Sequence, residues 1–169
     1  MQSINETKQS LLYTPEERQR RDDSAWTLVQ GVLAPVQFLV FLISLALVLR
    51  YLTTGEGQSL AIGSVVVKTF TLYVIMLTGC IWEKVVFDCY LFAPAFYWED
   101  MFSMLVLALH TAYLVALLTD SLGTDTLMYL ALAAYAAYVV NAVQFVLKLR
   151  AARMGQAQQK ALASQRIAV

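Results

Sequence analysis

The chain has 169 residues, of which 59% are hydrophobic and 14% charged, with twelve basic and twelve acidic side chains and no net charge. A soluble domain carries roughly 25% charged residues, and a nucleic-acid-binding domain carries an excess of positive charge. The mean hydropathy of +0.61 points instead to an integral membrane protein.

Residues 1–24 are polar. Thr14-Pro15-Glu16-Glu17 predicts a helix start, with Thr14 as N-cap, Pro15 at the first helical position and Glu17 completing a capping box. The short helix that follows carries Arg18, Arg20 and Arg21 and reads as a solvated segment beside the membrane. A first apolar span is predicted from about Ala25 to Leu52, too deep in the chain and too long for a signal-peptide core. Its polar residues Gln30, Gln37 and Ser44 recur every seven positions and so share one stripe of the helix. Pro35 falls inside it, where neighbouring helices make a proline tolerable in a membrane.

Thr53 to Gly57 is a turn by composition. A second span is predicted from about Leu60 to Phe87, ending in Trp82-Glu83-Lys84. Tyr73, Met76, Cys80, Glu83 and Phe87 follow helical spacing on one face. Lys68 is expected near the opposite membrane surface, with its ammonium reaching the headgroups. A loop with Asp88, Tyr90 and Pro94 leads to a third span from about Tyr97 to Leu118, which opens with Trp98-Glu99-Asp100 and holds the single histidine, His110. After a short turn, a fourth span from about Thr126 to Leu149 carries Tyr138, Asn141 and Gln144, and ends at Lys148, Arg150 and Arg153. Each span exceeds the roughly 20 residues that cross a hydrocarbon core. The expected fold is therefore an all-α integral membrane protein of four transmembrane helices. Residues 1–24 form an N-terminal segment, 25–153 the membrane domain and 154–169 a tail.

Lys and Arg concentrate at both ends of the chain and are nearly absent from the 1–2 and 3–4 turns, so the positive-inside rule places both termini in the cytoplasm. Cys80 and Cys89 lack metal-ligand spacing and are expected to be reduced packing residues. Nucleotide, zinc-peptidase and serine-hydrolase motifs do not occur.

Ionisable groups are costly in a membrane and mark function by default. Glu83, Asp88, Glu99 and Asp100 gather at one level. Singly they have ordinary accounts, in helix capping by Glu99 and Asp100 and interfacial anchoring by Glu83. Together they favour a carboxyl that keeps its proton, the usual preparation for general acid work. His110 lies eleven residues after Glu99, on the same helix face and about 16 Å deeper, and Ser103 shares that face. His110 reads either as a neutral histidine bonded to a neighbouring helix, the commoner case, or as an axial ligand to the metal of a tetrapyrrole. Each span thus has one polar or aromatic face, which suits either interhelical hydrogen bonds or a slot for a large flat ligand.

The runs Trp26–Gly31 (WTLVQG), Leu33–Leu42 (LAPVQFLVFL), Phe92–Tyr113 (FAPAFYWEDMFSMLVLALHTAY) and Tyr138–Phe145 (YVVNAVQF) resemble the 3-vinyl (also called 2-vinyl) bacteriochlorophyllide hydratase family. The resemblance covers roughly residues 11–153, and Phe92–Tyr113 is its most specific part. It implies a hydro-lyase of bacteriochlorophyll synthesis in the inner, cytoplasmic or intracytoplasmic, membrane of a photosynthetic bacterium. Such an enzyme adds water to the C3-vinyl group of chlorophyllide a or a related bacteriochlorophyllide to give a 1-hydroxyethyl group. Its expected partners are that pigment, lipid and other pigment-synthesis enzymes. No cofactor is expected, because the magnesium belongs to the substrate. The candidate acids are Glu99, then Glu83, with Asp100 beside them. His110, as ligand to the substrate's magnesium, and Ser103, Trp98, Tyr138, Asn141 and Gln37 are candidates to bind the pigment. A non-enzymatic pigment-binding or assembly protein would use the same slot without the acids. A transporter subunit is disfavoured by the short loops and the lack of repeats.

The charge distribution makes the orientation testable. A reporter active only in the cytoplasm, fused after Val169, is expected to be active, and a working periplasmic reporter at that point would overturn the N-in, C-in arrangement.

Overall fold

A computed structural model describes residues 12–167. The described residues form five helices: α1 (Pro15–Asp23), α2 (Ala25–Thr54), α3 (Gln58–Phe87), α4 (Tyr97–Leu118) and α5 (Thr124–Ile167). The helices α2 to α4 and the stretch Thr124–Gly155 of α5 are long and apolar enough to cross a membrane, which makes this a multi-pass, all-helical membrane protein.

Local chemistry sets the helix ends. At α1 the Thr14 hydroxyl accepts from the Glu17 N–H at 3.2 Å and the Glu17 carboxylate accepts from the Thr14 N–H at 2.8 Å, closing the capping box. Ser24 ends α1 and caps α2 by accepting from the Trp26 N–H at 3.2 Å. Gly55, at φ 75°, closes α2 in the left-handed conformation that glycine adopts without steric cost. The helix α2 continues through Pro35.

At about 1.5 Å per residue, the 30-residue helices α2 and α3 are near 45 Å long, beyond the roughly 30 Å of a hydrocarbon core. The helix α4, with 22 residues, spans only about 33 Å. The contacts Tyr73–Thr111 and Glu83–Asp100 set the first turn of α4 level with the last turn of α3, so α4 is short at its other end, and the acids of that first turn are buried beneath loop 88–96.

The helices form two hairpins, α2–α3 and α4–α5, each closely packed along its length. The hairpins meet mainly where α2 faces α5 and α3 faces α4, and α1 lies on α3. The seam between them is built of side chains rather than close backbone approach. Phe41, Val65, Val106, Tyr113, Met128 and Tyr135 fill it. Leu39, Phe70, Leu77, Val115 and Val146 face outward, as a lipid-facing surface requires. The Gln37–Ser44 stripe of α2 turns inward. Gln30, one heptad earlier, donates to the Thr78 hydroxyl at 2.7 Å and holds α2 against α3. At the same level the Trp82 indole N–H donates to the Thr27 hydroxyl at 3.0 Å. Both cysteines are free thiols.

Ser44 links three helices: its hydroxyl is 2.7 Å from that of Ser64 on α3 and 2.6 Å from that of Tyr135 on α5. Hydrogen bonds between membrane helices contribute about 0.6 kcal/mol on average and up to about 1.7. Ser44→Ala is expected to lose on the order of 1 kcal/mol of stability in an SDS-unfolding titration. Tyr135→Phe should lose a similar amount, and the double variant less than the sum. Additive losses would mean that the two hydroxyls act independently.

Candidate active site

The four acids gathered by the sequence separate into three environments. Asp88 ends α3 on the outer surface and is paired with Lys84 at 2.6 Å. That ammonium holds its carboxyl below the usual carboxylate range. Glu99 and Asp100 are neighbours in the first turn of α4, about 100° apart around the helix, and they face different partners. Glu99 reaches α5, where its Oε2 lies 2.5 Å from the Lys148 Nζ. Asp100 turns toward α3, where its carboxyl lies against that of Glu83.

The Glu83–Asp100 contact has a chemical requirement. An ionised carboxylate only accepts hydrogen bonds, so two carboxyls placed side by side in a buried site favour one shared proton, as paired carboxylates do. Both side chains are buried. The loop supplies the remaining donors: the Phe92 N–H bonds Asp100 Oδ2 at 2.8 Å and the Ala93 N–H bonds Glu83 Oε2 at 3.4 Å. Phe92 has φ 60°, unusual for a residue with a side chain, and this turn accompanies two successive N–H groups aimed at the acids.

An aromatic cluster adjoins the acids. Phe96 is buried, with its ring centre 5.7 Å from that of Trp82, 5.7 Å from Phe87 and 5.8 Å from Phe145. Tyr13, ahead of α1, stacks on Phe87 at 5.7 Å, and the Arg21 guanidinium lies 4.7 Å above the Tyr13 ring. Burial pushes the Tyr13 hydroxyl above its ordinary pKa. The Lys148 ammonium sits 5.0 Å above Phe96, so one lysine joins the Glu99 ion pair to the aromatic cluster.

Deeper in the bundle the seam is polar. Asn141 donates to the Ser103 hydroxyl at 2.8 Å. His110, 0% exposed, has Nδ1 2.8 Å from the Val106 carbonyl oxygen. A carbonyl only accepts, so Nδ1 carries the proton, and in the neutral ring Nε2 then presents its lone pair. No side chain among the described residues bonds Nε2, and the Gln37 amide atoms and the Tyr113 hydroxyl are likewise buried without partners. The His110 ring lies 5.9 Å from that of Tyr135. Tyr138 is buried in the same seam. Trp98 alone among the candidate residues is on the outside of the bundle, 68% exposed, edge-on to Tyr97.

One expectation is corrected. Lys68 does not reach out to headgroups: it is 0% exposed, and its Nζ lies 3.7 Å from the centre of the Tyr138 ring. The cause is helix phase. Ala61, Val65, Lys68 and Leu72 are all buried on α3, at spacings of four, three and four that define one inward face. That spacing was present in the sequence and is the signal by which Lys68 could have been recognised as an inward residue.

Fold and site together describe a multi-pass membrane protein with a buried carboxyl pair at one end and a polar seam beneath it. The chain belongs to the 2-vinyl bacteriochlorophyllide hydratase family, whose profile matches residues 13–151. It is 65% identical over 143 residues, 85% of this chain and 89% of the relative, to the 2-vinyl bacteriochlorophyllide hydratase of Cereibacter sphaeroides. It is 61% identical over 150 residues, 89% of this chain and 87% of the relative, to the protein of the same name from Rhodobacter capsulatus. No solved structure gives a significant match.

Proposed function

We propose that the protein hydrates the C3-vinyl group of chlorophyllide a or a related bacteriochlorophyllide, with the Glu83–Asp100 pair as the proton donor. As a member of its family the chain is a hydratase, and so a hydro-lyase, of bacteriochlorophyll synthesis. The observation that carries the assignment of the acid is the buried pairing of the two carboxyls, because a general acid must hold a proton before it can give one and paired buried carboxyls favour a retained proton. Glu99, the first choice from sequence, is taken up by its contact with Lys148 on α5, so it moves behind the pair.

The chemistry is a balanced addition of water. The pair gives its proton to the terminal vinyl carbon, which becomes a methyl group. The positive charge left on the inner carbon is delocalised into the macrocycle. The oxygen of a water molecule bonds to that inner carbon and releases a proton, which restores the carboxyl pair. Negative charge on the pair stabilises the cation, and the Phe92 and Ala93 N–H groups hold the pair in place as its charge changes. No electron is gained or lost, so the reaction needs no redox partner. The aromatic cluster of Trp82, Phe87 and Phe96 offers an apolar surface for a flat ring edge.

The pigment is bound along the seam between the hairpins, with His110 Nε2 facing the substrate's magnesium and Ser103, Asn141, Tyr138 and Gln37 along its length. His110 is enclosed in the packed bundle, so binding requires the hairpins to part. The termini lie on the cytoplasmic side of the bacterial inner membrane. This places the acid pair at the cytoplasmic end, where water and a soluble or membrane-bound neighbour in the pathway can reach it.

Two measurements test this assignment. Removal of a general acid costs about 10²–10⁴-fold in rate, and Glu83→Gln and Asp100→Asn are each expected to fall in that range while pigment binding is kept. Glu99→Gln should lose less. Near wild-type hydration by both Glu83→Gln and Asp100→Asn would remove the pair from the mechanism and favour a pigment carrier that needs no acid. His110→Phe should weaken binding of chlorophyllide more than of metal-free pheophorbide. Equal losses would return His110 to a packing role.

A further inference from the structure

We infer that Lys68 forms a carboxylate-binding subsite for the propionate side chain of the pigment. This contact presupposes the hydratase assignment above and extends it to the far end of the substrate. The Lys68 ammonium is fully buried and has no hydrogen-bond or ion-pair partner among the described residues. Its neighbours are neutral: the Tyr138 ring at 3.7 Å and, within reach of its charge, the His110 imidazole. A cation removed from water requires an anion or a full set of acceptors. A single aromatic face supplies only part of that. The acids of the bundle are committed elsewhere, to Lys148, to Lys84 and to each other.

Position along the bundle supports a ligand anion. From Asp100 to His110 is ten residues of α4, about 15 Å, and from Glu83 to Lys68 is fifteen residues of α3, about 22 Å. Glu83 and Asp100 are in contact, so the two distances start from a common level. The acid pair, the free imidazole nitrogen and the lysine therefore succeed one another along one seam. A chlorophyllide presents three groups of matching chemistry, a vinyl group, magnesium and a free propionate, within a span shorter than these backbone separations, so the long lysine side chain and the parting of the hairpins close the difference. With the vinyl group at the carboxyl pair and the magnesium toward His110, the propionate extends toward Lys68. The ion pair then forms in a medium of low dielectric, where it fixes which edge of the macrocycle meets the acids.

The experiment compares chlorophyllide a with its propionate methyl ester, using wild-type protein, Lys68→Met and Lys68→Arg in lipid nanodiscs. Binding is followed by pigment absorbance, and turnover by the vinyl-to-hydroxyethyl conversion. Wild type is expected to bind the acid at least about tenfold more tightly than the ester, as loss of a buried charge partner implies. Lys68→Met should bind the two alike, and Lys68→Arg should keep the preference. Equal binding of acid and ester by wild type, or a preference that persists in Lys68→Met, overturns the subsite. Binding decides the Lys68 contact whatever the turnover. Absence of hydration of either pigment by wild type would count against the hydratase assignment alone.

Discussion

Lipid offers no hydrogen bonds, and the strongly polar side chains within these helices are therefore driven toward the inside of the bundle. That constraint organises the molecule. It turns Gln37 and Ser44 of α2, Lys68 and Glu83 of α3, Asp100, Ser103 and His110 of α4, and Tyr135 and Tyr138 of α5 toward a single interior. The two hairpins meet across those groups, and the outer faces are left to aliphatic and aromatic residues. The same constraint separates the groups by task. Near the terminal end the acids are closely held, by loop N–H groups, by a lysine and by one another. Deeper in the seam several polar atoms have no protein partner.

This division suits an addition of water to an apolar pigment. The reacting edge needs a fixed acid, and fixed geometry comes from the loop 88–96 and the first turn of α4. The rest of the macrocycle needs an apolar slot with a few orienting polar groups, and a seam of side chains without close backbone packing can supply one when the hairpins part.

Much of the fold was legible in the sequence because membrane spans depend on one physical quantity, sustained hydropathy. The boundaries at Ala25, Phe87, Tyr97 and Leu118 agree with the helices, and the Thr14–Glu17 capping box was readable from four residues. The site was legible in part. The acids could be seen to cluster, but their partners could not, because pairing depends on rotation between helices. Glu99 and Asp100 are adjacent in sequence, yet one faces Lys148, forty-nine residues away, and the other faces Glu83. Lys68 was misjudged for a different reason. Taken alone, a lysine in an apolar span suggests snorkelling to a surface, and the buried residues that flank it on the same helix face decide otherwise. Nothing in the sequence distinguishes outward Trp98 from inward Asp100 until the phase of α4 is known.

The division into hairpins also bears on how the protein is made. Chain order means that α2 and α3 leave the ribosome and enter the bilayer before α4 and α5 exist to cover them. During that interval Gln37 and Lys68 face lipid or each other, and a charged residue at the centre of a membrane helix costs about 2.5–3.5 kcal/mol by the scale for translocon insertion. The first hairpin is therefore an unfinished structure whose inner face is secured only when the second arrives. Biogenesis of this small enzyme thus depends on prompt pairing of its halves, and the seam proposed for the pigment is also the last surface the folding protein closes.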